Sequence, residues 1–270
     1  MTTPTRDTRL RLFFRLAFLL CWGPGALYLI APQQMSALFG PMTFASPVLY
    51  LAVFAPSISA LLCARLESRV AFDDLLARFT RWRVKPLLYV GAVVGVAALA
   101  LLPRYAVALL GQAPVPTVTD LVAPAGLAGL AYATLADPGP LGEELGWRGY
   151  ALPRLQRRFS GLGAALILGA VWALWHVPAF FLAGLPQARI PFLPWAICTL
   201  ALSVLLAWIT NRARGAVAPA ILAHWSWNHA ADLTGAAAWP TAFALTIAAL
   251  ALVGFSGGEL DRSANPGVPG

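Results

Sequence analysis

Residues 162–184 read LGAALILGAVWALWHVPAFFLAG, a run in which His176 is the one ionisable side chain. A helix of this length extends roughly 35 Å at about 1.5 Å per residue, enough to cross a hydrocarbon core of about 30 Å. The whole chain shares this character, since 59% of its 270 residues are hydrophobic, 11% are charged and the mean hydropathy is +0.72. Such a composition excludes an ordinary water-soluble domain. We therefore expect an all-α, polytopic bundle of transmembrane helices.

Hydrophobic length predicts about eight membrane spans. They cover residues 10–31, 46–65, 87–110, 120–137, 162–184, 191–210, 216–236 and 238–256. Residues 66–86 are charged and amphipathic, so we expect them to lie on the cytoplasmic membrane surface. No internal repeat or soluble domain is recognised. We interpret residues 1–270 as a single membrane domain that ends in a short disordered tail over residues 257–270.

Basic residues cluster at the ends of alternate spans. Of the 19 Lys and Arg residues, all but Arg104 and Arg189 fall on one side of the eight-span arrangement. Because cytoplasmic loops of membrane proteins are enriched in Lys and Arg, this asymmetry predicts that both termini are cytoplasmic. The net charge of +8 is thereby explained by topology. No contiguous basic patch is formed, so we expect the lipid bilayer, and not nucleic acid, as the surrounding partner.

The most unusual polar sequence is EELGWR at residues 143–148, which follows a Pro-Gly-Pro turn. Ionisable groups in apolar segments cost on the order of 3 kcal/mol each, so they are candidates for function. On a helix, Glu144 and Arg148 are one turn apart and can form an ion pair, whereas Glu143 lies on another face. An unpaired carboxylate in a low-dielectric cavity is expected to have its pKa raised toward neutrality, as a general base requires. The alternative is a salt-bridged helix start at the membrane surface.

Two later spans carry histidines. His176 ends the aromatic sequence WALWH at residues 172–176, and His224 shares a helix face with Asn228. A lone histidine in a membrane bundle is commonly an interhelical hydrogen-bonding residue. Together with Glu143, however, these groups can supply a base, its partner and two hydrogen-bond donors to an oxyanion, the minimum for peptide hydrolysis by water. Glu143, His176 and His224 also match a zinc ligand set, so a zinc-assisted and a metal-independent mechanism both stay open.

These motifs, taken in order, resemble the CPBP family of CAAX proteases and bacteriocin-processing enzymes, also called Abi proteins. The family pattern is E-E-x-x-x-R, then an aromatic residue in aromatic-x-x-x-H, then H-x-x-x-N or D. It is matched here by Glu143-Glu144 with Arg148, by Trp172 with His176, and by His224 with Asn228. The resemblance covers about residues 120–232, which would form the catalytic core. Trp172 stands where Phe is the commoner residue of the family.

The resemblance implies an intramembrane endopeptidase that opens to the cytoplasm and is often described as a metalloprotease. It implies that Glu143 is catalytic, with His176, His224 and Asn228 beside it. Its partner would be a peptide or protein substrate at the membrane. The supporting residues would be Glu144, Arg148 and Trp172. Two alternatives stay open, namely a non-catalytic scaffold or bacteriocin-immunity protein that binds a peptide, and a transporter whose Glu and His side chains relay protons.

Overall fold

A computed structural model describes residues 6–112, 137–234 and 238–261 of the chain, and no strand occurs in these ranges. The first range contains α1 (Arg6–Ile30), α2 (Pro32–Phe39), α3 (Pro47–Glu67), α4 (Arg69–Thr80) and α5 (Pro86–Leu109). The later ranges contain α6 (Gly139–Glu144), a π-helix (Leu145–Ala151), α7 (Leu152–Leu155), α8 (Gly161–Trp175), 3₁₀-helices at Val177–Phe181 and Pro186–Arg189, α9 (Phe192–Arg212), α10 (Ala218–Thr234) and α11 (Ala238–Ser256). The predicted all-α, polytopic bundle is confirmed.

Within the described ranges, 6 helical segments are long and apolar enough to cross a membrane. They are Thr8–Ile30, Pro47–Glu67, Pro86–Leu109, Gly161–Phe181, Phe192–Arg212 and Ala238–Ser256. Each coincides with a predicted span to within a few residues, and the chain is accordingly an integral membrane protein. The predicted span 216–236 corresponds to α10, which is shorter at 17 residues. The predicted span 120–137 lies outside the described residues except for Asp137.

The long helices alternate in direction, so their termini gather at two ends of the bundle. At one, which we call the basic end, hydrogen bonds join Arg9 to Leu66, Arg154 to Glu67, Arg81 to Arg214, and Gln156 to Asn211. At the other, which we call the open end, the hydroxyl of Tyr28 donates to the carbonyl of Gly40 at 2.8 Å. Tyr28 also packs there with Met42, Leu182 and Leu185 in a small apolar cluster. Helix α1 therefore runs from the basic end to the open end, and α3 returns.

The chain after α11 is ordered as far as Asp261. The sequence predicts a disordered tail over residues 257–270, and the structure describes residues 257–261 of it as a turn. The side chain of Leu260 is fully buried, and its carbonyl accepts a hydrogen bond from Asn211 at 3.1 Å. The indole of Trp208 donates to Asp261 at 2.7 Å. The backbone N–H of Leu162 also donates to the carbonyl of Gly258 at 2.8 Å, and Arg212 lies 3.7 Å from Asp261. Residues 262–270 lie outside the described residues.

Residues 139–155, which we call the motif segment, pack against α3 through two glycines. A Cβ atom at Gly142 would lie 2.8 Å from the carbonyl oxygen of Val53, and one at Gly146 would lie 2.5 Å from that of Pro56. Small residues four apart allow two helix backbones to approach this closely. Every residue of the π-helix is buried. The acidic motif therefore lies inside the bundle, which argues against the alternative of an exposed salt-bridged helix start.

Candidate active site

Three parts of the bundle bring the predicted catalytic side chains to one cavity. Its volume is about 850 Å³, and its walls include Glu143, His176, His224 and Asn228. These side chains come from α6, the residue that follows α8, and α10. The rest of the lining is mostly apolar and continues toward the open end. The geometry therefore places the four groups around a shared space that can hold water and a substrate.

Glu143 and His176 reach the cavity because the motif segment and α8 run in opposite directions. A short turn at residues 156–160 joins them. Glu143 lies near the start of the motif segment, and His176 directly follows α8. Each residue is roughly 20 Å from this turn, at about 1.5 Å per residue. The two side chains therefore lie at a similar level in the bundle. A direct contact links their helices, since the indole nitrogen of Trp172 donates a hydrogen bond to Glu143.

The two adjacent glutamates have different partners. Oε1 of Glu144 accepts hydrogen bonds from Nη1 of Arg148 at 3.0 Å and from Nδ1 of His224 at 2.8 Å. The side chains of Glu144 and Arg148 are both 0% exposed. The ion pair predicted from their spacing is therefore present. Glu143 instead accepts from Trp172 and borders the cavity.

Glu144 fixes the orientation of His224. A carboxylate can only accept, so Nδ1 of His224 carries a hydrogen atom and donates it. His224 also lines the cavity, and the contact with Glu144 does not involve its second ring nitrogen, Nε2. A carboxylate beside one ring nitrogen sets the tautomer and stabilises the charged imidazolium. The motif spacing does not reveal this contact, because the two residues are far apart in the sequence.

His176 is oriented by backbone and by aromatic rings. Its Nδ1 lies 3.0 Å from the carbonyl oxygen of Trp172. Since that oxygen can only accept, Nδ1 donates, and Nε2 of the neutral ring keeps a lone pair. The ring centroid is 4.7 Å from that of Trp175 and 4.9 Å from that of Trp195. His176 is thereby held in one rotamer with a hydrogen-bond acceptor left over.

Trp172 contacts Glu143, Arg148 and His224. Besides its hydrogen bond to Glu143, its ring centroid lies 4.5 Å from the guanidinium carbon of Arg148. The same ring meets the ring of His224 edge-on at a centroid distance of 5.1 Å. A phenylalanine could supply the aromatic face but not the N–H donor. In this chain, the aromatic position of the motif therefore also anchors the carboxylate of Glu143.

Asp137 is a polar residue of the site that the sequence motifs miss. Its Oδ2 accepts a hydrogen bond from Nδ2 of Asn228 at 2.9 Å, and its Oδ1 accepts from the backbone N–H of Gly139 at 2.9 Å. Its carbonyl accepts from the indole of Trp225 at 3.0 Å. Asp137 thus ties the turn before α6 to α10 and sets the direction of the Asn228 carboxamide. The available signal was an Asp directly before Pro-Gly-Pro, a turn-forming position.

The predicted zinc ligands are Glu143, His176 and His224. In the part of the chain that the structure describes, no group of three or more His, Cys, Asp or Glu side chains is arranged to hold a metal ion. Nδ1 of His224 is taken by Glu144, and Nδ1 of His176 by a backbone carbonyl. Both contacts leave Nε2 of the ring as the nitrogen that could bind a metal, and zinc stays a prediction.

Comparisons with known proteins agree with the motifs. Residues 130–230 match the family model described as Rce1-like, type II CAAX prenyl endopeptidase Rce1-like. The chain is 34% identical over 92 residues to CAAX prenyl protease 2 of Methanococcus maripaludis, an alignment that covers 32% of this chain and 34% of that protein. The chain thus aligns with about a third of the length of this curated relative. The matched range includes the motif segment, α8, α9 and most of α10, and with them every residue of the candidate site.

Proposed function

Because residues 130–230 match the Rce1-like CAAX prenyl endopeptidase model, we propose that this chain is an intramembrane endopeptidase in which Glu143 activates water to hydrolyse a peptide bond. The observation that carries the proposal is the convergence of Glu143, His176, His224 and Asn228 on one cavity. Polar groups from separate helices would each be costly in an apolar bundle, and a shared, water-containing cavity satisfies them together.

Glu143 and His176 activate the water in this proposal. One oxygen of the Glu143 carboxylate is held by Trp172, which leaves the other to accept a proton from water. The lone pair on Nε2 of His176 can accept the second water hydrogen and so fix the direction of attack. The water oxygen then bonds to the substrate carbonyl carbon, and the proton on Glu143 passes to the leaving amine as the C–N bond breaks.

His224 and Asn228 would stabilise the oxyanion that forms during this attack. Glu144 favours the imidazolium form of His224, whose Nε2 then becomes a donor. One N–H of the Asn228 carboxamide is taken by Asp137, so the second N–H of the same nitrogen is fixed in direction. Donors that are oriented before the reaction stabilise developing charge without reorganisation.

The charge of Glu144 is balanced by the side chains that surround it. Arg148 and His224 both donate to the same carboxylate oxygen. The positive charge of Arg148 lies over the face of Trp172, an arrangement that is favourable in a desolvated site. These contacts keep Trp172 and His224 in place. Trp172 donates to Glu143, and His224 itself lines the cavity.

The substrate in this proposal is a peptide or protein segment at the membrane. Proteomics of membranes that contain the wild-type chain or Glu143→Ala should reveal peptide termini formed only with the wild type. A peptide spanning such a terminus, synthesised with and without a prenyl group, then tests the purified protein in liposomes. Cleavage of the prenylated form alone would extend the relative's specificity to this chain.

A matched control comes from the surface of α4. Asp73 forms an exposed ion pair with Arg69, so Asp73→Asn makes the same kind of acid-to-amide change as Glu143→Gln away from the cavity. Loss of turnover in Glu143→Gln but not in Asp73→Asn supports the protease assignment. Peptide binding without turnover by the wild type would instead support the non-catalytic scaffold or immunity alternative. Turnover that requires added zinc would establish the metal-assisted mechanism, and turnover by metal-free protein the direct one.

A further inference from the structure

The cavity reaches the protein surface at the open end of the bundle. Its exposed lining residues are Phe44, Pro186, Arg189, Ile190 and Pro191. They lie on the segments that connect α2 to α3 and α8 to α9. A Cβ atom added at Gly184 would collide with the carbonyl oxygen of Met42, so these two connecting segments are in direct contact. The entrance is therefore framed by the two connections that meet at the open end.

In the ranges that the structure describes, the basic end is closed. None of the residues whose hydrogen bonds define that end lines the cavity. Between it and the cavity lie Trp147, Arg148 and Tyr150, which are all 0% exposed. The turn at residues 257–261 covers this end further, with Leu260 fully buried against α9. A substrate consequently has no passage from the basic end to Glu143 through the described part of the bundle.

The two ends also differ in charge. The basic end carries the Arg and Lys residues around α4, the arginines that follow α7, and those at the end of α9. On the other side of the sequence-based topology stand only Arg104 and Arg189. An excess of Lys and Arg in short connecting segments marks the cytoplasmic side of a membrane protein. The charge distribution therefore assigns the basic end to the cytoplasm and the open end to the opposite side.

We infer that the active-site cavity opens on the non-cytoplasmic side of the membrane, so that its substrate is a peptide segment presented on that side. This inference rests on the proposed function for the identity of the occupant. It departs from the cytoplasmic entrance that the family resemblance implies. The difference arises from the course of the motif segment, which enters the bundle from the open end and reaches the basic end only after Leu155. Glu143 therefore lies nearer to the open end than the arginines that follow it.

Cysteine labelling in intact cells tests the orientation without requiring turnover. The three native cysteines, Cys21, Cys63 and Cys198, are first replaced by alanine. Gln187→Cys is then placed at the cavity entrance, and Arg83→Cys in the exposed connection at the basic end. We expect a membrane-impermeant maleimide to label Gln187→Cys in intact cells and Arg83→Cys only after permeabilisation. The reverse pattern would overturn the inference.

A second measurement covers the case in which the cysteine-free protein does not accumulate. Alkaline phosphatase and green fluorescent protein are fused in turn after residue 159 and after residue 189 of truncated chains. The inference predicts an active phosphatase only after residue 189 and a fluorescent protein only after residue 159, and the opposite pair of results contradicts it. Because neither method depends on cleavage, a failed orientation and a failed protease assignment are distinguishable.

Discussion

Glu143 and Glu144 are adjacent in the sequence but belong to two regions with different physical demands. Glu143 lies on the cavity face, which we define as Glu143, His176 and Asn228. Glu144 lies in the buried support, which we define as Glu144 and Arg148, two side chains that are both 0% exposed. A charge without water needs a complete set of partners, whereas a group that performs chemistry must keep a free position. Substitutions in the two regions should therefore separate stability from catalysis.

The largest effect on stability is expected from the buried support. Arg148→Ala leaves Glu144 with an unbalanced buried charge, and breaking a buried pair in this way costs about 3–5 kcal/mol. Thermal unfolding in detergent should show a large loss, accompanied by low abundance. The control is Arg69→Ala, which removes an ion pair of the same spacing whose side chains are 76% and 52% exposed and which should matter little. A stable but inactive Arg148→Ala would point to direct contact with substrate.

The next largest effect is expected on the cavity face, where a substitution should lower the rate of cleavage and not the stability. Asn228→Ala removes one oxyanion donor, and such a loss costs about 10²–10³ in rate, or roughly 2.7–4 kcal/mol. Turnover of a peptide identified by proteomics measures it. Asn211→Ala makes the same truncation at the basic end and should leave kcat unchanged. Equal rates for Asn228→Ala and the wild type would remove Asn228 from the mechanism.

The packing that positions both regions predicts a smaller loss of stability. In Gly146→Ala the new methyl group would press on Pro56 of α3, and overpacking of this kind costs about 1–3 kcal/mol. The unfolding temperature should fall. Gly95→Ala is the control, because a Cβ atom there meets nothing within 4 Å. If both variants unfolded alike, close contact between the motif segment and α3 would not be what holds Glu143 in place.

Trp172, which links the two regions, should affect the rate more than the stability. Trp172→Phe keeps an aromatic ring against Arg148 and His224 but deletes the N–H that donates to Glu143. A single hydrogen bond to a charged group contributes about 1.5–3 kcal/mol, so kcat should fall by roughly ten- to a hundredfold. The unfolding temperature should change little. A wild-type kcat would show that the carboxylate of Glu143 is oriented without the indole.

Much of the fold follows from the sequence because hydrophobic length and helical spacing are local properties. They predict the long helices, and the four-residue spacing predicts the ion pair of Glu144 with Arg148. The hydrogen bond from His224 to Glu144 joins residues 80 positions apart, and no local pattern encodes it. The ordered turn around Leu260 is likewise decided by burial against α9, which composition does not report.

The inward course of the motif segment also escapes prediction from the sequence. With a Pro-Gly-Pro turn before it and arginines after it, the segment resembles a helix at the membrane surface. The segment instead runs inside the bundle, because Gly142 and Gly146 allow its backbone to pack against α3. Asp137 is missed for a related reason, since its contacts to Asn228 and Trp225 depend on where α10 lies. The motifs therefore identify the reacting groups but not the contacts that orient them.

The most direct measurement compares Glu143→Gln with Glu144→Gln in two assays, thermal unfolding and cleavage of the same peptide. We predict that Glu143→Gln unfolds like the wild type and cleaves nothing detectable, because it loses the base but no buried ion pair. Glu144→Gln should unfold at a clearly lower temperature, because Arg148 and His224 lose their shared carboxylate. Wild-type turnover by Glu143→Gln would contradict the account and leave a peptide-binding role for the cavity.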